Sequence, residues 1–341
     1  MNIADFDYHL PPELIAQEPA RPRDSSRLLV LHRDTGEIEH RLFPDLLGYL
    51  RADDVIVVND TRVLRARLHG VREPGGGRAE VLLLSEREGN VWEALVTPGR
   101  RIPVGRSIAF GEGDLRAEVI ARTPAGGRLL RFTAAGDVRA AIERVGQVPL
   151  PPYVHRALDD ESDYQTVYAH TPGASAAPTA GFHFTPEMLE AVKARVHAVA
   201  HLTLHIGVST FRPIHVARVE DHEMHVESYA IPEATACLVT AAKRDRQRLL
   251  AVGTSAARAL EAAADETGQV RAGAGETDLF ITPGYRFRVV DALLTNFHMP
   301  RSTLLLLVCA AAGAELILRA YREAVAGRYR FLSFGDAMLI I

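Results

Sequence analysis

The 341-residue sequence has little of what metal frameworks, disulfide scaffolds and membrane spans require. Its two cysteines, Cys237 and Cys309, lie far apart and form neither a CxxC pair nor a disulfide framework, so we expect buried free thiols. The longest apolar run, residues 304–314, is too short to cross a bilayer. The N-terminus has acidic residues and prolines where a signal peptide needs a basic start and an apolar stretch. We therefore predict a cytoplasmic protein.

Lysine is also scarce. Only Lys193 and Lys243 occur among 39 basic residues, and all the others are arginine. The coding composition of a genome explains such a bias as well as a functional need for arginine does. The formal net charge is −4, so the molecule as a whole does not attract polyanions, although a local patch can do so. The composition therefore permits nucleic-acid binding without showing it.

What is present is the composition of a globular protein, with 47% hydrophobic and 24% charged residues. From residue 68 to about residue 146, short apolar runs between glycine-rich turns predict a small antiparallel barrel or sandwich. Helical and strand patterns alternate in the rest of the chain. We therefore predict an α/β fold in which a large mixed α/β domain, residues 1–67 and 147–341, is interrupted by a small antiparallel β-barrel domain, residues 68–146.

Local patterns predict individual elements of the large domain. Helices are expected after Asp137 and Thr185, which are typical N-cap residues, and from Pro300 onward. The helix after Thr185 carries an apolar stripe that includes Val196 and Val199. Strands are predicted at residues 54–58, 201–206, 249–253, 278–281, 293–297 and over the C-terminal 13 residues.

Four strand–loop junctions carry polar residues. They are residues 59–62, residues 253–255 with Arg258 one turn later, residues 295–298 and residues 335–336. Open α/β sheets bind ligands beyond the carboxyl ends of their strands, where helix N-termini present unpaired N–H groups. Taken singly, each junction is explained somewhat better by ordinary capping and turn formation, but four such junctions together favour a ligand site. The small-residue loop 172–181 has neither a P-loop nor a dinucleotide-binding pattern, so nicotinamide and ATP sites have little support.

The segment DHEMHVE, residues 221–227, places His222, His225 and Glu227 close together. Its HExHxE spacing differs from the HExxH of helical zinc proteases, and in a strand it would direct His222 away from the other two side chains. Imidazole beside carboxylate is also the usual equipment of proton transfer near neutral pH. His183 and His205 lie upstream and are candidates for the same place. The pattern leaves a metal site and an acid–base site open.

Ten segments in a fixed order resemble one enzyme family across almost the whole chain. They are NDTRVLRARL, VPLPPYV, DYQTVYA, GASAAPTAGFHFT, LHIGVSTFRPI, HEMHVE, VGTSAARALE, TDLFITPGYRF, LLTNFHMPRSTLLLLVCAAAG and YRFLSFGDAMLI. Together they closely resemble the S-adenosylmethionine:tRNA ribosyltransferase-isomerases of queuosine biosynthesis. Ser209 and Phe334 depart from the usual residues of the family, but no charged or imidazole group is lost.

The resemblance implies a reaction in which S-adenosylmethionine donates ribose instead of methyl. The ribosyl group passes to 7-aminomethyl-7-deazaguanine at the tRNA wobble position and rearranges, giving epoxyqueuosine-tRNA, while adenine and methionine leave. S-adenosylmethionine is then a consumed substrate, and neither a cofactor nor a metal is expected. The expected partners are this tRNA and S-adenosylmethionine, with no membrane. We expect a monomer, although the sequence itself does not give the oligomeric state.

Such chemistry requires a base, an acid for the departing adenine and groups that hold the substrates. The catalytic candidates are His183, His205, His222, His225, Glu227 and His298. The substrate-binding candidates are Asp60, Thr61, Arg62, Thr179, Gly181, Thr254, Ser255, Arg258, Asn296 and Asp336. The RNA-binding candidates are Arg21, Arg23, Arg65, Arg67, Arg100, Arg101, Lys243 and Arg244. The sequence does not assign the roles of base and acid.

Two other functions stay open at this point. A metal-dependent hydrolase built on His205, His222, His225 and Glu227 would contain stoichiometric zinc. A non-catalytic RNA-binding module would bind tRNA while substitutions of its histidines altered no chemistry.

Overall fold

A computed structural model describes residues 1–124, 126–207 and 213–341. Ser209, within the segment LHIGVSTFRPI, lies outside the described residues. The chain divides into two compact units. The larger unit comprises Met1–Arg62, Pro152–Thr171 and Ala177–Ile341, and the smaller comprises Val63–Pro151 and Pro172–Ala176. The predicted insertion, residues 68–146, lies inside the smaller unit, whose limits extend about five residues further at each end.

The strands of the described residues are numbered in chain order. They are β1 (Arg27–Leu31), β2 (Ile38–Leu42), β3 (Val55–Asn59), β4 (Thr61–Val63), β5 (Arg67–Glu73), β6 (Arg78–Glu86), β7 (Val91–Thr97), β8 (Ser107–Phe110), β9 (Leu115–Arg122), β10 (Arg128–Ala134), β11 (Thr171–Ala174), β12 (Ala198–Leu204), β13 (Glu227–Ile231), β14 (Leu249–Val252), β15 (Gly273–Thr277), β16 (Ala292–Asn296) and β17 (Ala337–Ile340). β4 and β11 form a two-stranded sheet.

The larger unit is built on a nine-stranded mixed sheet in the order β15-β13-β12-β3-β14-β16-β17-β1-β2. Its centre is parallel: β12, β3, β14 and β16 run in the same direction. Every residue of β3, β14 and β16 is buried, as expected for strands covered on both faces. The predicted mixed α/β fold is confirmed.

The α-helices are α1 (Leu46–Tyr49), α2 (Val138–Val145), α3 (Pro186–Lys193), α4 (Glu233–Arg244), α5 (Thr254–Ala263), α6 (Thr303–Ala312) and α7 (Ala314–Ala326). Asp137 and Thr185 cap α2 and α3 as predicted, each accepting a hydrogen bond from a first-turn N–H. In the described part of the chain, no single helix is long and apolar enough to cross a membrane. The consecutive pair α6 and α7 meets the criteria of length and composition only when taken together, and it bends by 114°.

The smaller unit contains a closed barrel of six antiparallel strands in the order β10-β7-β6-β5-β8-β9. Alternate residues of β6 and β9 point inward, and Val81, Leu83, Phe110 and Phe132 pack in its core. The barrel prediction is therefore confirmed.

Several local predictions were wrong. Residues 278–281 form no strand. The strand that pairs with β13 lies just before them, at Gly273–Thr277. The helix after Thr185 ends at Lys193, so Val196 and Val199 are not part of its stripe. The C-terminal strand is shorter than predicted and spans Ala337–Ile340. Cys309 is buried as expected, but Cys237 is exposed on α4.

Candidate active site

The polar junctions of the larger unit meet at one edge of its sheet. Residues 59–62 begin at the last residue of β3, residues 253–255 follow β14, and residues 295–298 include the end of β16. These strands are parallel, so their carboxyl ends share an edge. β17 runs antiparallel to β16 with Ala337 opposite Asn296, which brings residues 335–336 to the same edge. The four predicted junctions therefore lie at adjacent strand ends.

A cleft opens at this edge of the sheet. Seven of the predicted residues line it: Thr179, Glu227, Thr254, Ser255, Arg258, Asn296 and His298. Apolar side chains line another part of the cleft: Met224, Leu279, Phe280, Ile281, Leu304 and Leu307. The first residues of α5 and α6 also line the cleft, and the N-cap Gly253 provides no side-chain cap for α5. The cleft thus combines an apolar wall with one carboxylate, one guanidinium, neutral polar groups and helix N-termini.

Glu227 and Arg258 form a buried ion pair at the cleft, with 2.6 Å between Nη1 and Oε2. The other carboxylate oxygen of Glu227 accepts hydrogen bonds from the Gly207 N–H at 2.9 Å and from His225 Nε2 at 3.2 Å. Burial raises the pKa of Glu227, but the His225 hydrogen bond, the Arg258 charge and the Gly207 N–H outweigh it, and the net pKa lies below its ordinary value. Glu227 is therefore ionised at neutral pH and orients the His225 ring.

Arg258 is largely committed to the protein. Its Nε donates to the Leu279 carbonyl at 2.9 Å, and its Nη2 donates to the His225 and Thr277 carbonyls at 3.0 Å each. Arg258 therefore fixes the wall of the cleft and the position of Glu227.

His298 lines the cleft as a neutral imidazole. Its Nε2 lies 2.8 Å from Thr295 Oγ1, and burial lowers its pKa to about 3. Two tyrosines hold its backbone: the Tyr8 hydroxyl donates to the His298 carbonyl, and the His298 N–H donates to the Tyr321 hydroxyl at 3.1 Å. The two rings pack edge to face with their centroids 5.2 Å apart. His298 is thus held in one position without a charge of its own.

His183 lies behind the cleft, in contact with a residue that lines it. Its Nε2 is 3.3 Å from Asn296 Nδ2, and its Nδ1 is 2.7 Å from Ser26 Oγ. Asn296 also accepts a hydrogen bond from Thr179 Oγ1 at 3.1 Å. Burial lowers the pKa of His183 to about 3, with smaller contributions from Arg330 and Arg23. His183 therefore positions Asn296 as a neutral ring.

His205 and the residues after β3 form a second polar group beside the cleft. His205 Nδ1 lies 2.8 Å from Thr61 Oγ1, and burial lowers the pKa of His205 although Asp60 opposes the shift. Asp60 accepts a hydrogen bond from Thr203 Oγ1 at 2.6 Å. Asn59 links this group to the cleft, because its Nδ2 donates to Ser255 Oγ at 3.0 Å.

Comparisons with known proteins identify the family of the chain. A family model described as queuosine biosynthesis protein matches residues 3–340. The chain belongs to the queuosine biosynthesis family. Curated relatives named S-adenosylmethionine:tRNA ribosyltransferase-isomerase include those of Moorella thermoacetica, 53% identical, and Symbiobacterium thermophilum, 54% identical, each aligned over 100% of both chains. A crystal structure of an S-adenosylmethionine tRNA ribosyltransferase from Thermotoga maritima is 38% identical, covers 99% of this chain and 100% of its own, and has a TM-score of 0.55. The resemblance inferred from the motifs is confirmed.

Some predicted residues of the family motifs do not line the cleft. His222 packs edge-on against Phe280, with the ring centroids 5.3 Å apart. Arg62 is exposed on β4. Asp336 is buried and accepts hydrogen bonds from Arg27 Nε at 3.1 Å and from the Arg330 N–H at 2.8 Å. Gly181 faces Tyr168, because a Cβ built on it would lie 2.0 Å from the Tyr168 hydroxyl.

The histidine and carboxylate groups form no larger ligand set in the described residues. No group of three histidine, cysteine, aspartate or glutamate side chains there is arranged to hold a metal ion. Residues 222–226 are irregular, so the alternation expected of a strand does not apply to His222 and His225.

The predicted RNA-binding residues differ in how free their charges are. Arg23 and Lys243 are bonded within the protein, to the Gln165 carbonyl and to Asp291 respectively. Arg100 and Arg101 are exposed in a short 3-10 turn. The other predicted residues make intramolecular contacts: Arg21 with Asp163, Arg65 with the Glu143 carbonyl, Arg67 with Glu80 and Arg244 with Asp245.

No sequence pattern selects three residues that shape the site. Tyr8 and Tyr321 lie far from His298 in sequence, and no local pattern links them to it. Phe280 lay in a predicted strand. The Pro283-Gly284 turn signal shortly after this strand was a sign of irregular structure there.

Proposed function

We propose that this protein is an S-adenosylmethionine:tRNA ribosyltransferase-isomerase. It would transfer the ribosyl group of S-adenosylmethionine to 7-aminomethyl-7-deazaguanine at the tRNA wobble position and rearrange it to epoxyqueuosine, with release of adenine and methionine. The observation that carries the proposal is the match to the queuosine biosynthesis family over residues 3–340. The cleft supports it, because residues of eight of the ten family motifs line one cavity.

The composition of the cleft suits S-adenosylmethionine, which we propose is consumed as a substrate. The Phe280 ring and the neighbouring aliphatic side chains provide a surface for the purine. Ionised Glu227, paired with Arg258, lines the cleft beside this surface. The first-turn amides of α5 suit the methionine carboxylate, since helix N-termini favour anions.

The reaction begins with loss of a proton from the ribose C5′ next to the sulfonium. We assign this proton transfer to His225, which lies behind the lining residue Glu227, with 3.2 Å between His225 Nε2 and the Glu227 carboxylate, and would have to reach the substrate past it. Neutral His298 would serve as a hydrogen-bonding group for the departing adenine, and it adds no positive charge beside the cationic substrate.

A product assay tests the activity. Purified protein is mixed with S-adenosylmethionine and with tRNA that carries the aminomethyl-deazaguanine, and adenine and methionine are measured. Both are expected with this tRNA and neither with tRNA that carries guanine. Folded protein that releases neither product under these conditions contradicts the proposal. Persistent tRNA binding with no chemistry would instead support a non-catalytic RNA-binding module, and stoichiometric zinc would support a hydrolase.

Substitutions then test the site. We expect His225→Ala or Glu227→Gln to lower turnover more than tenfold, which corresponds to about 1.4 kcal/mol of barrier per factor of ten. Glu223→Gln is the matched control, because Glu223 is exposed two residues from His225. Circular dichroism and urea denaturation show whether each variant is folded, which matters for Glu227→Gln because Arg258 loses its buried partner. Rates like those of the wild type in both variants would remove this segment from the mechanism.

A further inference from the structure

The two ends of the barrel have different charges. One end, called the arginine rim, consists of the β5–β6 connection (residues 74–77), the β7–β8 connection (residues 98–106) and the adjoining strand residues Arg72, Glu73, Arg78 and Arg122. Its two connections contain three arginines, Arg100, Arg101 and Arg106, and no carboxylate.

The opposite end of the barrel is acidic. The β6–β7 connection contains Glu88, the β8–β9 connection contains Glu112 and Asp114, and Asp137 follows β10. Arg87 is the only basic residue in these three segments, and it lies 3.1 Å from Glu93. One end of the barrel is therefore basic and the other acidic. The net charge of the smaller unit does not show this difference.

Four arginines of the rim are available to a ligand. Arg78, Arg100, Arg101 and Arg122 are exposed, and none has an ion-pair or side-chain hydrogen-bond partner within the described residues. On the opposite end, Arg87, Arg139 and Arg144 all lie near carboxylates, at 3.1, 2.7 and 3.6 Å. The rim thus differs from the opposite end of the barrel in both charge and pairing.

The rim is also braced from within. Buried Arg128 donates to the carbonyls of Gly99 and Gly127 at 2.9 Å each, which holds the turn that carries Arg100 and Arg101. Arg106 Nη1 donates to the Pro74 carbonyl at 2.9 Å and joins the two connections. Fixed backbone beneath unpaired guanidinium groups lowers the cost of ordering them on a ligand.

We infer that the arginine rim of the barrel binds the phosphate backbone of tRNA. Guanidinium groups match phosphate geometry and give affinity without reading sequence. The protein as a whole is net negative, so an RNA partner needs a local positive surface, and the rim provides one. The inference rests on the proposed function only for the identity of the RNA.

Binding of an unmodified full-length tRNA transcript tests the inference independently of catalysis. The double variant Arg100→Gln/Arg101→Gln is compared with Arg87→Gln/Arg139→Gln, which removes the same charge from the opposite end. We expect the first variant to weaken binding about tenfold near physiological salt. It should also lower the slope of log affinity against log salt by roughly 1.8, from two lost phosphate contacts. The control should leave both quantities unchanged.

Arg78→Gln/Arg122→Gln provides a second variant at the same rim and should act in the same direction. With modified tRNA, all rim variants should raise KM about tenfold and leave kcat unchanged. An unchanged salt slope in both rim variants overturns the inference, as does equal weakening by the control. Tighter binding to vesicles with anionic headgroups than to tRNA would also overturn it. Wild-type protein that binds tRNA through the rim but releases no adenine would contradict the proposed function and leave the inference standing.

Discussion

Burial keeps two histidines of the site uncharged. His183 and His298 have pKa values of about 3, chiefly because desolvation disfavours the imidazolium. Both rings instead take part in neutral hydrogen bonds with hydroxyl and amide groups. The sequence shows that histidines are present but not how deeply they are buried. Both residues could therefore be predicted as site residues, but their charge state could not.

This burial predicts an acid-sensitive stability. An unfolded histidine titrates near pH 6.5, so between about pH 6.5 and pH 3 the unfolded state binds more protons than the folded state. The free energy of unfolding is therefore highest above about pH 6.5 and falls as the pH is lowered. Near pH 5 each histidine should lower it by on the order of 2 kcal/mol. Urea denaturation at about pH 7 and pH 5 measures the difference.

Comparison with His298→Gln separates this effect from that of the carboxylates, which titrate in both proteins. The variant should lose less stability between the two pH values than the wild type does. The same loss in both would show that His298 is accessible to protons in the folded state.

At the scale of elements, the central strands were predicted because their patterns are local. Residues 54–58 and 249–253 are short apolar runs that any sheet interior would contain. β15 has the sequence GAGET, which carries no strand pattern, and only its pairing with β13 makes it a strand. Leu279, Phe280 and Ile281 show the converse error: they have the apolar pattern of a strand but form the wall of the cleft, which needs the same kind of residues. Both errors arise because long-range contacts decide what a short segment does.

The small-residue loop allows a test of packing. Gly181 was predicted to bind substrate, but a Cβ there would lie 2.0 Å from the Tyr168 hydroxyl and 2.7 Å from Thr166 Cγ2. Gly181→Ala must displace a packed ring and should lower the free energy of unfolding by about 1–3 kcal/mol. Gly48→Ala in α1 is the control, because a Cβ there meets nothing within 4 Å, and it should be neutral or slightly stabilising. Equal urea midpoints for the two variants would contradict this account.

The N-terminal segment is predicted to position the end of β16. Tyr8→Phe removes the hydroxyl that donates to the His298 carbonyl but keeps the ring against Tyr321. The lost hydrogen bond should lower the free energy of unfolding by about 1–2 kcal/mol. Because His298 lines the cleft, turnover should fall more than this loss of stability explains when the assay is run well below the melting temperature. Unchanged kcat and KM in the folded variant would show that Tyr8 has no role in positioning His298.

For the whole molecule, the larger unit is formed from segments on both sides of the barrel. β3 precedes the barrel strands in the sequence and β14 follows them, yet the two strands pair in parallel at the centre of the sheet. The change in sequence texture revealed the insertion, because barrel and α/β patterns differ in period. It could not reveal which strands pair, since parallel partners carry no mutual signal in a single sequence.

One ion pair joins these distant segments, and removing it tests how much the pair contributes to the stability of the larger unit. Arg248, just before β14, donates to both oxygens of Asp54, just before β3, at 2.8 and 2.6 Å, and Asp54 is fully buried. Asp54→Asn leaves a mostly buried guanidinium without its charge partner and should lower the free energy of unfolding by about 3 kcal/mol or more. Asp245→Asn breaks the exposed pair with Arg244 and should leave the urea midpoint unchanged. A small effect of Asp54→Asn would show that strand pairing alone holds the larger unit together across the inserted barrel.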